Sequence, residues 1–198
     1  MQFFLKRLFD ILFSLTGLIL FFPFGLIIAV FIIAGSRGGV FFVQARVGKN
    51  NQDFHLLKFR TMRKNAEKAG LLTVGNDSRI TATGKFLRKY KLDEFPQLIN
   101  VLIGNMSLVG PRPEVRKYVE LYSEEQKKVL RVKPGLTDYA SIEYINENEL
   151  LGKSADPEKT YIEEVMPAKL KLNEKYLANV TVWHDLKIIG RTFLKILV

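Results

Sequence analysis

From Ile11 to Ser36 the chain runs 26 residues without a charge, reading ILFSLTGLILFFPFGLIIAVFIIAGS. A straight helix of that length reaches about 39 Å, against a hydrocarbon core of about 30 Å. The segment is too long for a signal peptide, and no small-x-small cleavage pattern precedes the charged region. It is therefore expected to enter a membrane. Pro23 stands at its middle, with 12 uncharged residues before it and 13 after. Proline removes a backbone donor and clashes with the preceding turn, so it kinks a helix. Each half then reaches about 18 Å, roughly half-way across. Lys6 and Arg7 flank the run on one side, and Arg37, Arg46 and Lys49 on the other. Positive charge at both ends draws both to the cytoplasmic side. Two topologies remain open on these grounds: a re-entrant helix bent at Pro23, or a single span with a tolerated proline. Asp10, at the first boundary, either caps the segment or pairs with Arg7.

The chain of 198 residues is 47% hydrophobic, enough for a real core. Thirty Lys and Arg against 20 acids leave a formal net charge of +10. That favours an anionic partner such as phosphate, nucleic acid or acidic lipid. The absence of cysteine excludes disulfides, thiolate metal sites and a thiol nucleophile. Two histidines, His55 and His184, leave no room for histidine-rich metal chemistry; both read as structural. At the C-terminus Leu186, Ile189, Phe193 and Leu197 form an apolar helical face, and Lys187, Arg191 and Lys195 recur on another. Such a helix, with Trp183 before it, suits either a bilayer interface or the domain core.

Between these ends the pattern is α+β and helix-rich, in two parts: a membrane segment over 1–38 and a domain over 39–198. Val40–Val47 and Phe54–Arg60 read as strands joined by the turn-rich Gly48–Asp53. Thr61–Gly70 reads as a short helix and Gly70–Ile80 as a loop. A helix capped by Thr81 or Thr83 runs over Gly84–Tyr90. Another starts at Asp93 and runs to about Ile103, with Pro96 in its first turn. Gly104–Pro113 is expected as loop, Glu114–Val132 as helix, and Pro157–Ala178 as helix interrupted at Pro167.

The residues with chemistry cluster in the middle. Asp93 and Glu94 are adjacent acids at a helix start, amid Arg79, Lys85, Arg88, Lys89 and Lys91. A helix N-terminus stabilises carboxylates and bound phosphate alike. Consecutive helical residues point about 100° apart, which suits two different roles. One carboxylate can attack phosphorus while the other holds Mg²⁺, which takes oxygen ligands and bridges to phosphates. The plain alternative is a helix cap beside a solvated acid. Pro111 and Pro113 restrict the backbone around Arg112, whose guanidinium suits bidentate phosphate contact. Lys58 and Arg60 lie on one strand face. No dinucleotide fingerprint, phosphate-loop lysine motif or nucleophile elbow occurs.

These motifs occur in order: KRLFD (Lys6–Asp10), the central proline, QARVG (Gln44–Gly48) and KFRTM (Lys58–Met62). Then come GKFLRKYKLDEFPQLINVLIGNMSLVGPRP (Gly84–Pro113) and KPGLT (Lys133–Thr137). In this the chain resembles the bacterial sugar transferases, the small monotopic polyprenyl-phosphate glycosyl-1-phosphate transferases. The resemblance is strongest from Lys6 to Thr137. It implies transfer of a sugar-1-phosphate from a UDP-sugar to polyprenyl (undecaprenyl) phosphate, releasing UMP, as the first membrane step of capsule, O-antigen or glycoprotein glycan assembly. It implies a ping-pong course with Asp93 as nucleophile, Glu94 binding Mg²⁺, and Arg112 between Pro111 and Pro113 binding phosphate. Arg88, Lys58, Arg60 and Arg79 match further basic positions. The family helix is re-entrant with both ends at the cytoplasmic face of the bacterial inner membrane, and later glycosyltransferases consume its product. Two departures stand out. Phe22 precedes Pro23 where many members carry Ser, and Asp138-Tyr139-Ala140-Ser141 replaces the Gly-Trp-Ala-Gln of many members that use N-acetylated sugars.

Two rival readings stay in view. A non-catalytic, membrane-tethered basic module would bind anionic lipid or nucleic acid, but the charge is interleaved with acids and no nucleic-acid motif is present. A direct ternary mechanism would use Asp93 or Glu94 as general base.

Overall fold

The computed structural model describes residues 2–36 and 38–197. Arg37 and the side chain of Leu197, both named above, lie outside the described residues. The apolar run forms helix α1 (Gln2–Gly35), which continues through Pro23 as one element. The hairpin follows as expected: β1 (Phe41–Val47) pairs antiparallel with β2 (Asp53–Phe59), from Phe41 opposite Phe59 to Val47 opposite Asp53. Asn50 and Asn51 adopt positive φ at the turn, a conformation asparagine tolerates. The remaining helices are α2 (Ala82–Lys89), α3 (Gln97–Ile103), α4 (Arg116–Val119), α5 (Tyr139–Glu143), α6 (Glu147–Gly152), α7 (Pro157–Thr160), α8 (Met166–Leu177) and α9 (Val182–Leu197). The molecule is thus helix-rich α+β, with two two-stranded sheets.

Several boundaries differ from the sequence reading, each for a local reason. Thr61–Gly70 is not a helix beyond a short 3-10 turn at Ala66–Ala69; Asn65 precedes that turn with φ 63°. Thr81 is the cap of α2, its hydroxyl accepting from Gly84 N at 3.0 Å. Asp93 sits in a separate 3-10 turn, Leu92–Glu94, and α3 starts at Gln97. Pro96 has no N–H to continue the ladder, so the two pieces divide there. Gly104–Pro113 contains a strand, β3 (Ser107–Val109), pairing in parallel with β4 (Gly135–Thr137). The long helix expected over Glu114–Val132 is only α4 and a 3-10 stretch, Gln126–Arg131. Between α7 and α8 a single π-helical stretch, Tyr161–Val165, leads into Pro167 without a stop.

Three apolar clusters build the core. One joins Val47, Tyr118, Val119, Tyr161 and Leu170. A second joins Leu56, Leu98, Val101, Met106, Val109, Tyr176 and Ile188. The third packs Ile32 of α1 on Phe59 and Leu87. α1 lies along this body. Near its start Lys6 pairs with Asp185 and donates to Val109 O at 3.1 Å. Arg7 donates to Val101 O and Leu102 O at 2.6 and 2.7 Å, satisfying carbonyls at the end of α3. Asp10 neither caps α1 nor pairs with Arg7; its carboxylate accepts from Ser107 Oγ and Leu108 N. Midway, Phe21 stacks on Phe95 at 3.6 Å between ring centres. At the far end Ile32 is 2% exposed. The other side of α1 is bare: Phe4, Leu12, Ile19, Phe22, Ile27 and Phe31 are all exposed. Its most apolar 18-residue window has a mean hydropathy of 2.8.

α9 shows the same division. Asp185 and Ile188 are buried, while Trp183, Leu186, Phe193 and Leu194 are exposed beside Lys187, Arg191 and Lys195. The apolar stripe read from the sequence is therefore not the core face: Ile188 holds that place. His184 is structural, paired with the Tyr139 hydroxyl at 2.6 Å.

Candidate active site

The site is assembled by the two small sheets. β2 presents Lys58 inward. The parallel pair β3 and β4 runs in one direction, so both strands end at the same edge, β3 leading to Pro111-Arg112-Pro113 and β4 to Asp138. Arg112 N donates to Asp138 Oδ2 at 3.1 Å, and Asp138 Oδ1 accepts from Ser141 N at 2.6 Å as the cap of α5. Asp138 is fully buried. It thus ties Arg112, already restricted by its prolines, to the start of α5. The strands cross so closely that a Cβ at Gly135 would overlap the backbone of Gly110.

Asp93 and Glu94 meet very different surroundings. Both Glu94 oxygens are engaged: the Arg112 guanidinium donates to both, to Oε2 at 3.1 Å, and Lys58 Nζ donates to Oε1 at 3.2 Å. Burial pushes the Glu94 carboxyl up, but the Arg112 and Lys58 charges outweigh it and hold the group well below the usual carboxylate range. Asp93 is 6% exposed, and no donor among the described residues hydrogen-bonds its carboxylate. Burial therefore raises it above the ordinary range, with the neighbouring Glu94 charge adding to the rise and Lys58 and Arg88 opposing it. Burial likewise lowers Lys58.

Of the other basic residues, Arg88 donates only to neutral hydroxyls, Thr61 Oγ1 at 2.9 Å and Thr73 Oγ1 at 3.2 Å. It has no ion-pair partner within 4.0 Å among the described residues, and its charge is balanced at longer range by Asp93, Asp77 and Glu94, leaving its guanidinium without a bonded carboxylate. Arg79 is held elsewhere: it pairs with Asp77 and donates to the carbonyls of Ala66, Gly70 and Leu72. Those bonds fold the 66–79 loop and leave Arg79 no donor for a ligand. Arg60 donates to Gly39 O and Phe41 O, closing the open end of the hairpin. Lys58 and Arg60 share a strand face, but only Lys58 reaches the acids.

Asp93, Glu94, Lys58, Arg88 and Arg112 all line one cavity of about 1370 Å³. Sequence reasoning missed two residues of its wall. Glu114, half-buried, pairs with Arg46 and accepts from the Tyr161 hydroxyl, and Asn173 sits on α8; neither carries a sequence signal. Asp138, just behind the wall, stood out in the sequence only as part of a departure with no role attached, and its Asp-x-x-Ser spacing is a capping pattern. No cluster of three or more His, Asp or Glu suited to a metal occurs among the described residues. The donor set is two adjacent carboxylates. That does not cage an ion, but it fits Mg²⁺, which is usually held by one or two carboxylates plus a substrate's phosphates.

A buried carboxylate that accepts no hydrogen bond among the described residues, a clamped one and a guanidinium bonded only to hydroxyls thus share one cavity beside an apolar helix, a set of charges suited to binding a phosphate. The comparisons with known proteins point the same way. The bacterial sugar transferase family model matches residues 1–198, and the chain belongs to that family. It is 38% identical over 198 residues to the UDP-N-acetylgalactosamine-undecaprenyl-phosphate N-acetylgalactosaminephosphotransferase of Aeromonas hydrophila, covering 98% of this chain and 44% of the relative. It is 39% identical over 198 residues to the uncharacterized sugar transferase EpsL of Bacillus subtilis (strain 168), covering 98% of this chain and 88% of the relative. It is 40% identical over 195 residues to the UDP-glucose:undecaprenyl-phosphate glucose-1-phosphate transferase of Klebsiella pneumoniae, covering 96% of this chain and 39% of the relative. The chain thus spans less than half of the Aeromonas and Klebsiella relatives.

Proposed function

We propose that this chain transfers a sugar-1-phosphate from a UDP-sugar to polyprenyl phosphate, giving polyprenyl-diphosphate-sugar and UMP. The observation that carries the reading is the contrast at Asp93-Glu94. An acid whose oxygens accept no hydrogen bond keeps its lone pairs free to attack. An Asp93 oxygen bonds to the sugar-bearing phosphorus as the bond from that phosphorus to the UMP oxygen breaks, leaving an acyl phosphate. A phosphate oxygen of the polyprenyl phosphate then bonds to the same phosphorus, and the Asp93 carboxylate leaves. Arg112 and Arg88 meet the charge that develops on the phosphoryl oxygens. Lys58 and Arg112 hold Glu94 in place. Mg²⁺, carried on Glu94, would neutralise the diphosphate. Arg60 and Arg79 act through structure, closing the hairpin and folding the adjacent loop.

Residues 1–38 form the membrane element and 39–198 the catalytic domain. A helix that spans a bilayer carries its two ends to opposite sides. Here one domain holds Lys6, Arg7 and Asp10 near one end and Ile32 near the other. This supports a re-entrant α1, with both ends and the domain on the cytoplasmic face of a bacterial inner membrane and the exposed side of α1 in lipid. The product would feed glycosyltransferases that build a surface polysaccharide.

The test is UMP release from a panel of UDP-sugars by nanodisc-held protein with Mg²⁺ and undecaprenyl phosphate. UMP from a donor, lost in Asp93→Asn, is expected. No UMP from any donor with folded protein overturns the reading in favour of a non-catalytic anchor.

A further inference from the structure

Buried polar atoms are nearly always hydrogen-bonded, so each exception needs a reason. Three occur among the described residues: Gln97 Nε2, Ser141 Oγ and Asn173 Oδ1. Gln97 does not line the cavity, whereas Ser141 and Asn173 both do. We propose that Ser141 and Asn173 hydrogen-bond the hydroxyl groups of the donor sugar and so decide which sugar is accepted. This inference rests on the function proposed above.

Three observations place the sugar here. First, the sugar is one oxygen away from the phosphorus under attack, so it lies within a few ångströms of Arg112. Ser141 N and Arg112 N bind the two oxygens of a single carboxylate, Asp138. The backbone of Ser141 is therefore tied through one carboxylate to the backbone of the phosphate arginine, and both residues line the same cavity. Second, α5, which carries Ser141, packs on α8, which carries Asn173, 4% exposed, and both residues line the one cavity. A hydroxyl and a carboxamide each donate and accept, matching the dual character of sugar hydroxyls. Third, the surrounding wall is apolar. Ala140 and Leu170 are buried there, with Ile142 and Tyr144 beside them. Such a surface takes the C–H face of a sugar ring and leaves Ser141 and Asn173 to read its hydroxyls.

The test compares wild type, Ser141→Ala, Ser141→Thr and Asn173→Ala on UDP-sugars that are epimeric or deoxy at single positions, with UMP as competitive inhibitor. Thermal melting reports folding. Ser141→Ala and Asn173→Ala are expected to lower kcat/KM for the preferred donor by about 10- to 100-fold, and to shrink its preference over an epimer or deoxy donor by a similar factor. Inhibition by UMP, which lacks the sugar, stays unchanged, and Ser141→Thr, which keeps the hydroxyl, keeps the preference. An equal loss on every donor overturns the inference, as does weakened UMP inhibition, a Thr variant no better than Ala, or unchanged selectivity. A melting drop with uniform loss assigns the two residues to packing and overturns it too. No UMP release by wild type removes the function itself and this inference with it.

Discussion

Burial raises the proton affinity of the Asp93 carboxylate, which no donor among the described residues hydrogen-bonds, while Glu94 one residue later is held ionised by Arg112 and Lys58. The two therefore load stability in opposite directions. A raised acid costs stability above its folded pKa and the cost is relieved as pH falls through that value; a depressed acid contributes stability above its unfolded pKa and the contribution is lost as pH falls through the folded one. Asp93→Asn is expected to abolish activity yet stabilise the fold by about 1 kcal/mol, the usual trade at a strained functional site. Glu94→Gln removes one side of a buried charge cluster and is expected to cost about 3–5 kcal/mol. Thermal unfolding of both variants in one detergent checks the pair; a lower melting temperature for Asp93→Asn contradicts this reading. The attacking form of Asp93 is the carboxylate, so kcat/KM is expected to fall on the acid side at a pH above the ordinary aspartate range. Arg88 opposes the rise, so Arg88→Ala is expected to move that limb further up. A pH profile of both proteins reads the shift.

At the level of elements, what was legible depended on the length of the signal. α1 announces itself over 26 uncharged residues, and the hairpin by two runs around a turn rich in Asn and Gly. β3 and β4 have only three residues each, too few for any periodicity, and they sit among glycines and prolines that read as loop. Yet this ladder delivers Arg112 and Asp138 to one place. Over Glu114–Val132 the apolar spacing was real, since Val115, Tyr118, Val119, Tyr122 and Val129 are all buried in the core, but the backbone meets that core as α4 and a separate 3-10 stretch, not as one continuous helix. The acidic pair and the proline-flanked arginine were legible because their residue types are unusual together. Asp138 and Ser141 stood out only as part of a departing segment with no role attached, and Asn173 not at all, since their meaning lies in contacts between distant segments. Glycines test the ladder. Gly135→Ala forces a Cβ into Gly110 and is expected to cost about 3 kcal/mol along with the activity that depends on Arg112. Gly190→Ala meets nothing within 4 Å inside α9 and is expected to stabilise by about 0.5–1 kcal/mol. Chemical denaturation of the two distinguishes crowding from backbone entropy.

For the whole molecule, the net charge of +10, the bare side of α1 and the exposed Trp183, Phe193 and Leu194 of α9 all fit one bilayer surface. The chain has no cysteine, so single cysteines report topology cleanly. Gln2→Cys and Ser36→Cys are both expected to react with an impermeant maleimide in inverted vesicles and neither in right-side-out ones. Labelling from opposite sides contradicts a re-entrant α1. On the proposed function, a domain placed this way would meet a soluble nucleotide-sugar from one side and a lipid phosphate from the other, and a covalent intermediate would let both use one site in turn.

The central claim is that Asp93 carries the phosphosugar between those two substrates. Intact-protein mass spectrometry, with a UDP-sugar and Mg²⁺ but without polyprenyl phosphate, tests it most directly. The account expects a mass increase equal to one sugar phosphate, an equivalent of UMP, loss of both in Asp93→Asn, and discharge of the adduct on adding the lipid. UMP release that occurs only when the lipid is present, with no added mass on the protein at any time, would contradict it and point to direct transfer.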